Sequence, residues 1–96
     1  MMQVAVGHFF IFFDHFGNAF TNIEARNLKN PSSKCQVWVG RRNLGPLRNS
    51  YFEGQTGEAL ALMSSSDILE IAVNQGSALT SLRLKKGTPV EVHFTK

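Results

Sequence analysis

Punctuation constrains this chain more than any other feature. Its apolar runs are short, and each is cut by Gly, Pro, Asn or a serine cluster before a full helical period can build up. Val4, Val6 and His8 to Phe13 read as a long first strand rich in β-branched and aromatic side chains. Its consecutive phenylalanines imply cover on both faces, by the core on one side and a subunit contact on the other. Gly17-Asn18 ends it, since both residues tolerate positive φ. Ala19 to Ile23, Lys34 to Val39, Ala59 to Met63, Ile68 to Val73 and Val90 to Phe94 read as further strands, with a hairpin over Gly40 to Asn49. In Ile68 to Val73 the residues Leu69, Ile71 and Val73 alternate with Ile68, Glu70 and Ala72, as in a half-buried strand. Residues 24–33 suggest a helical turn and a loop broken at Pro31. Ser50 to Gln55 read as a loop, and Gly76 to Leu84 as a short helix. The pattern predicts an all-β domain, a small antiparallel barrel or sandwich with one short helix.

At 96 residues the chain is one domain, 1–96, with 43% hydrophobic and 18% charged residues, a globular composition. A core this small gains from a partner, so a homo-oligomer is expected. Ten Lys/Arg stand against seven Asp/Glu, and Arg41-Arg42 and Lys85-Lys86 read as solvated surface. Nucleic-acid binders carry a denser basic footprint, which ranks that class low. Cys35 is the single cysteine, so an intramolecular disulfide or cysteine zinc cluster is excluded, and its strand context predicts burial. His8, His15 and His93 have no spacing that supports a metal site or a catalytic triad, so neither is expected. The start Met1-Met2-Gln3 lacks the marks of a signal peptide, and Phe9 to Phe13 is too short to span a bilayer. The expectation is a cytoplasmic protein without membrane contact.

Chemistry concentrates in two segments. Asp14-His15-Phe16-Gly17-Asn18-Ala19-Phe20-Thr21-Asn22-Ile23 gathers a carboxylate, aromatic rings and carboxamides around one glycine turn. That inventory could hold a planar, polar-edged ligand, since a carboxamide offers both a donor and an acceptor, rings stack on a flat face and a carboxylate accepts charged hydrogen bonds. Thr21 and Asn22 read more simply, as side chains that satisfy backbone groups at the turn. The second segment is Ser65-Ser66-Asp67-Ile68-Leu69-Glu70-Ile71-Ala72-Val73-Asn74-Gln75-Gly76-Ser77-Ala78, with Ser50-Tyr51-Phe52-Glu53 and Gly57-Glu58 in the spacer.

In that order and at that distance, the two segments resemble the C-terminal domain of the S-adenosylmethionine (SAM) hydrolases, also called SAM hydroxide adenosyltransferases. The family includes the SAM-dependent fluorinating and chlorinating enzymes. The resemblance runs from about Gly7 onward and implies a small Greek-key β-barrel. It also implies a trimer, with the ligand held between this domain and the N-terminal α/β domain of a neighbouring subunit. On that basis Asn18 and backbone groups near Gln75 would meet the adenine edge. Phe16 and Tyr51 would cover its faces, with Phe20 nearby. Asp14 would take the ammonium of the methionine part, and Ser65 and Ser66 its amino-acid end. Asp67 departs from the family's usual glycine at that turn and would repel a carboxylate there.

The Asp, Arg and His that act on the attacking water or halide in the family belong to the other domain and have no counterpart within these 96 residues. No catalytic residue is therefore assigned, and the chain alone is not expected to be an enzyme. No cofactor is expected, the implied ligand being SAM or adenosine. Three readings follow, in this order. The first is an adenosyl-binding or oligomerisation module, and the second a subunit of a SAM hydrolase completed in trans by a separate α/β protein. The third is a small barrel for single-stranded nucleic acid.

Overall fold

The computed structural model describes residues 2–4, 8–24, 35–48 and 50–95, with side chains from Phe12 onward except Tyr51, Phe94 and Thr95. The helical turn expected over 24–33 lies, from Ala25 on, outside these residues. The strands are β1 (Met2–Val4), β2 (His8–Phe13), β3 (Ala19–Glu24), β4 (Cys35–Val39), β5 (Arg42–Gly45), β6 (Leu47–Arg48), β7 (Ala59–Met63), β8 (Ile68–Val73) and β9 (Pro89–Thr95). A 3-10 turn covers Tyr51–Glu53, and one short helix, α1, covers Ala78–Ser81. The all-β class with one short helix is as the turn-broken sequence implies.

The strands form two mainly antiparallel sheets that share β2. Its first residues pair with β9, His8 opposite Val90, while its last pair with β3, Phe13 opposite Ala19. The first sheet runs from β5 through β4 to β9, whose other edge takes β1 and β2. The second runs from β2 through β3, β8 and β7 to β6, where β6 and β7 are parallel. The ladder is open, which corrects the expectation of a closed barrel. Its two borders, β5 and β6, are not paired with one another. Pro46 alone joins them, too short a link for a hairpin, and proline has no N–H to donate.

Period-2 alternation builds the core. Ala19, Thr21 and Ile23 of β3, Cys35, Val37 and Val39 of β4, and Val90 and Val92 of β9 all point inward and are buried. Leu69, Ile71 and Val73 of β8, the neighbour of β3, join the same cluster and meet the β4 and β9 residues from the other sheet. Cys35 is a buried core thiol. Leu60, Leu62 and Ala72 form a second buried cluster on the opposite face of β7 and β8. The 50–58 segment covers them: Asn74 Nδ2 donates to Gly54 O at 2.7 Å, and Gly54 sits tightly on Leu60. Of the first-strand phenylalanines, Phe12 and Phe13 have described side chains. Phe12 stacks on Phe20 at 4.5 Å yet stays 44% exposed.

Thr21 is a buried polar residue with a defined task. Between the pairs Phe20–Glu70 and Glu24–Ile68, three residues of β3 face only Leu69 of β8. The Thr21 hydroxyl fills this bulge by donating to Leu69 O at 2.9 Å and accepting from Ile23 N at 3.0 Å. The sequence reading of Thr21 as a backbone-satisfying side chain is met, in the ladder rather than at the turn.

Candidate functional site

The turn between β2 and β3 is tied together by Asp14. One carboxylate oxygen accepts from Phe16 N and Asn18 N, both at 2.9 Å, and the other from Asn18 Nδ2 at 3.0 Å. Gly17 N donates to Asp14 O, and Asp14 N to Asn18 O, each at 3.0 Å. Because a carboxylate only accepts, this contact fixes which end of the Asn18 carboxamide is the amide nitrogen. One amide hydrogen is spent on Asp14. The second hydrogen and the carbonyl oxygen have no hydrogen-bond partner among the described residues.

Gly17 locks this turn against α1. Its φ is +84°, its carbonyl accepts from Leu79 N at 2.9 Å, and a Cβ there would collide with the Ser77 hydroxyl. Ser77 in turn caps α1, accepting from Thr80 N at 3.2 Å. The end of β8 lies alongside: Gln75 is left-handed at φ +58°, and Gly76 N donates to Val73 O at 3.1 Å. Phe16, Asn18, Val73, Gln75 and Gly76 enclose an open depression of about 380 Å³. The Phe16 ring is 74% exposed beside it.

The structure thus brings Phe16, Asn18 and Gln75 together, with Asp14 directly behind Asn18. Phe20 lies one strand position inward and stacks on Phe12 rather than lining the depression. Tyr51 opens the 3-10 turn, and its side chain lies outside the described residues. Ser65 and Ser66 are exposed in the turn between β7 and β8, at the opposite end of β8 from Gln75. Ser64 organises that turn by accepting from Ser66 N and Ile68 N, and Asp67 sits in it at φ +59°.

Sequence reading missed Val73 and Gly76 as walls, although the turn signal Asn74-Gln75-Gly76 marked their position. It also missed Glu70, which lies opposite Phe20 on β8. Partial burial raises the Glu70 pKa, and the nearby Asp14 charge adds to the effect. Among the described residues no three His, Cys, Asp or Glu side chains gather as a metal site. His93 instead contacts Glu91 at 2.8 Å. No helix among them is long and apolar enough to cross a membrane.

Comparison with known proteins bears on this site. The model of the SAM hydroxide adenosyltransferase C-terminal domain matches residues 10–91. The chain is 41% identical over 80 residues to the (R)-S-adenosyl-L-methionine hydrolase of Thermus thermophilus, covering 83% of this chain and 29% of that protein. The crystal structure of a conserved hypothetical protein from the same organism superposes with a TM-score of 0.74 at 38% identity, over 88% of this chain and 34% of that one. An uncharacterized conserved protein from Thermotoga maritima gives 0.72 at 30%, over 93% and 35%. The chain therefore spans about a third of the length of these relatives.

Proposed function

This chain belongs to the SAM hydroxide adenosyltransferase C-terminal domain family, and from that membership we propose that it serves as one wall of an adenosyl-binding site. The observation that carries the reading is the Asn18 carboxamide, held by Asp14 in one orientation at the rim of the depression formed with Phe16 and Gln75. A donor and an acceptor presented side by side suit the edge of adenine, and Phe16 supplies a ring for its face. The exposure of Phe16 fits a site whose other wall comes from elsewhere.

One wall makes only part of the contacts. Adenosine is expected to bind this chain weakly, with a Kd of about 0.1 to several mM. Calorimetric titration with adenosine and SAM, with Asn18→Ala in parallel, tests this. Loss of a measurable signal in the variant supports the site. No heat for the parent chain at several times that concentration removes the one-wall reading.

A second reading rests on coverage, because this chain matches only 29% of the hydrolase. The groups that activate water would lie on an α/β domain, in the same longer chain or a separate one, and this domain would orient the adenosyl group while water displaces methionine. Mixing this chain with such a domain should then restore hydrolysis of SAM to adenosine and methionine. A trimer formed through the face that carries the exposed Phe12 is part of the same proposal, and sedimentation of the purified chain tests it.

A further inference from the structure

A larger cleft lies elsewhere, between the β4–β5 turn and the segment that follows α1. It encloses about 470 Å³, with Val39, Leu82 and Leu84 as its apolar floor and Arg41, Arg42 and Thr88 at its rim. The fold builds it from two turns. Val39 and Arg42 pair across a two-residue link in which Gly40 takes φ +59° and donates to Pro89 O at 2.9 Å, a hairpin geometry that favours glycine first. Opposite, Arg83 is left-handed at φ +53°, which ends α1 and sends the buried Leu84 back under the cleft. Thr88 closes the next turn by accepting from Lys85 N at 3.0 Å, and Lys85 and Lys86 belong to that turn.

Of the two basic pairs that look like separate solvated surface in the sequence, Arg41-Arg42 thus lines the cavity, and Lys85-Lys86 lie in the turn that its rim residue Thr88 closes. With Arg83 they make five of the ten Lys and Arg residues. Among the described residues Arg48 pairs with Glu58, whereas neither Arg41 nor Arg42 is paired with a carboxylate. Neither is needed for the hairpin, which Gly40 and the strand pairs already define. Unpaired guanidinium groups over an aliphatic floor suit a molecule with an anionic head and a short apolar body.

The geometry points to a second ligand site, distinct from the adenosyl depression, that takes a small amphipathic anion: a carboxylate or phosphate monoester on an aliphatic chain. Carboxylate and phosphate share the planar or branched acceptor oxygens that the arginines recognise, and the floor of Val39, Leu82 and Leu84 holds the chain.

Amide shifts in the isotope-labelled chain test it, with octanoate and hexyl phosphate as probes. Inorganic phosphate serves as the head alone and 1-octanol as the tail alone. Saturable shifts confined to residues 39–42 and 82–88, with a Kd of about 1 mM for ligands of this size, are expected for at least one amphiphile. Each half-probe should bind about tenfold more weakly or worse. Arg41→Gln/Arg42→Gln, two exposed positions, should raise the Kd about tenfold or more while leaving the circular dichroism spectrum unchanged. A response to octanoate only or to hexyl phosphate only supports the proposal and assigns the head group. The proposal falls if neither amphiphile gives a saturable shift at about ten times that concentration, if octanol binds as well, or if the double variant binds equally. It also falls if only an Asp- and Leu-containing peptide moves these amides, which makes the cleft a protein-docking surface. Asn18→Ala should leave this titration unchanged, so failure here and failure of the adenosyl reading are separable.

Discussion

Replacing Gly17 with alanine should be the most damaging small change in the turn, and two separable terms set its size. The first is conformational: φ is +84°, and a Cβ in the left-handed region costs about 1–2 kcal/mol. The second is steric, because the new methyl group would meet the Ser77 hydroxyl and lie 2.8 Å from Ser77 Cβ. Overpacking of that kind costs about 1–3 kcal/mol. The sum, about 2–5 kcal/mol, corresponds to a fall in Tm of roughly 10–30 °C for a domain this size. Urea and thermal unfolding followed by circular dichroism would read it. The steric share can be isolated with Ser77→Gly, which removes the obstructing atoms and, as an N-cap change to glycine, costs only a few tenths of a kcal/mol. Gly17→Ala/Ser77→Gly should therefore recover about 1–3 kcal/mol relative to the sum of the single changes. A Tm loss under about 4 °C for Gly17→Ala, or strict additivity in the cycle, would refute the close approach on which this reasoning rests.

Thr21→Val keeps the shape but strands Leu69 O and Ile23 N in the core, and should cost about 2–4 kcal/mol in urea unfolding; a loss below about 0.5 would show that the bulge is satisfied otherwise. Because the Glu70 pKa is raised in the folded state, folding stability is lost as pH rises through that value, and no penalty exists below the unfolded pKa. Glu70→Gln should therefore stabilise the chain at neutral pH and leave it unchanged in acid, and an equal gain at both pH values would remove Glu70 as the cause. Asp14→Ala should weaken adenosine binding by freeing the Asn18 carboxamide, and should lower the Glu70 titration midpoint measured by carboxyl NMR; an unmoved midpoint would contradict the charge coupling.

Strand placement was legible because alternation survives in one dimension. Cys35, Val37 and Val39 and the pair Val90 and Val92 announce their inward face without any knowledge of their neighbours. Sheet closure was not legible. It depends on β5 and β6 being linked by Pro46 alone, a relation between two very short strands that no local pattern encodes. The helix expected over Gly76 to Leu84 shrinks to Ala78–Ser81, because Ser77 caps its start and Arg83 turns left-handed just past its end. At the site, the family resemblance, and not any local pattern, joined Gln75 to Phe16 and Asn18, and the fold brings these three residues together. The internal bonding of Asp14 was hidden, since a carboxylate that holds its own loop and one that awaits an ammonium look alike in sequence.

The gap at Pro46 changes what the layer around the core can tolerate. A hydrogen-bonded closure restricts a barrel to set combinations of strand number and stagger, and so to set girths. Here the two borders are consecutive links of one backbone, each step about 3.8 Å, with no pairing register to preserve between them. The stagger of the two borders is therefore set by the covalent path through Pro46 and not by a hydrogen-bonded register. A substitution at Pro46 consequently acts on the path of one backbone, whereas in a closed ring the same position would also carry a ladder bond.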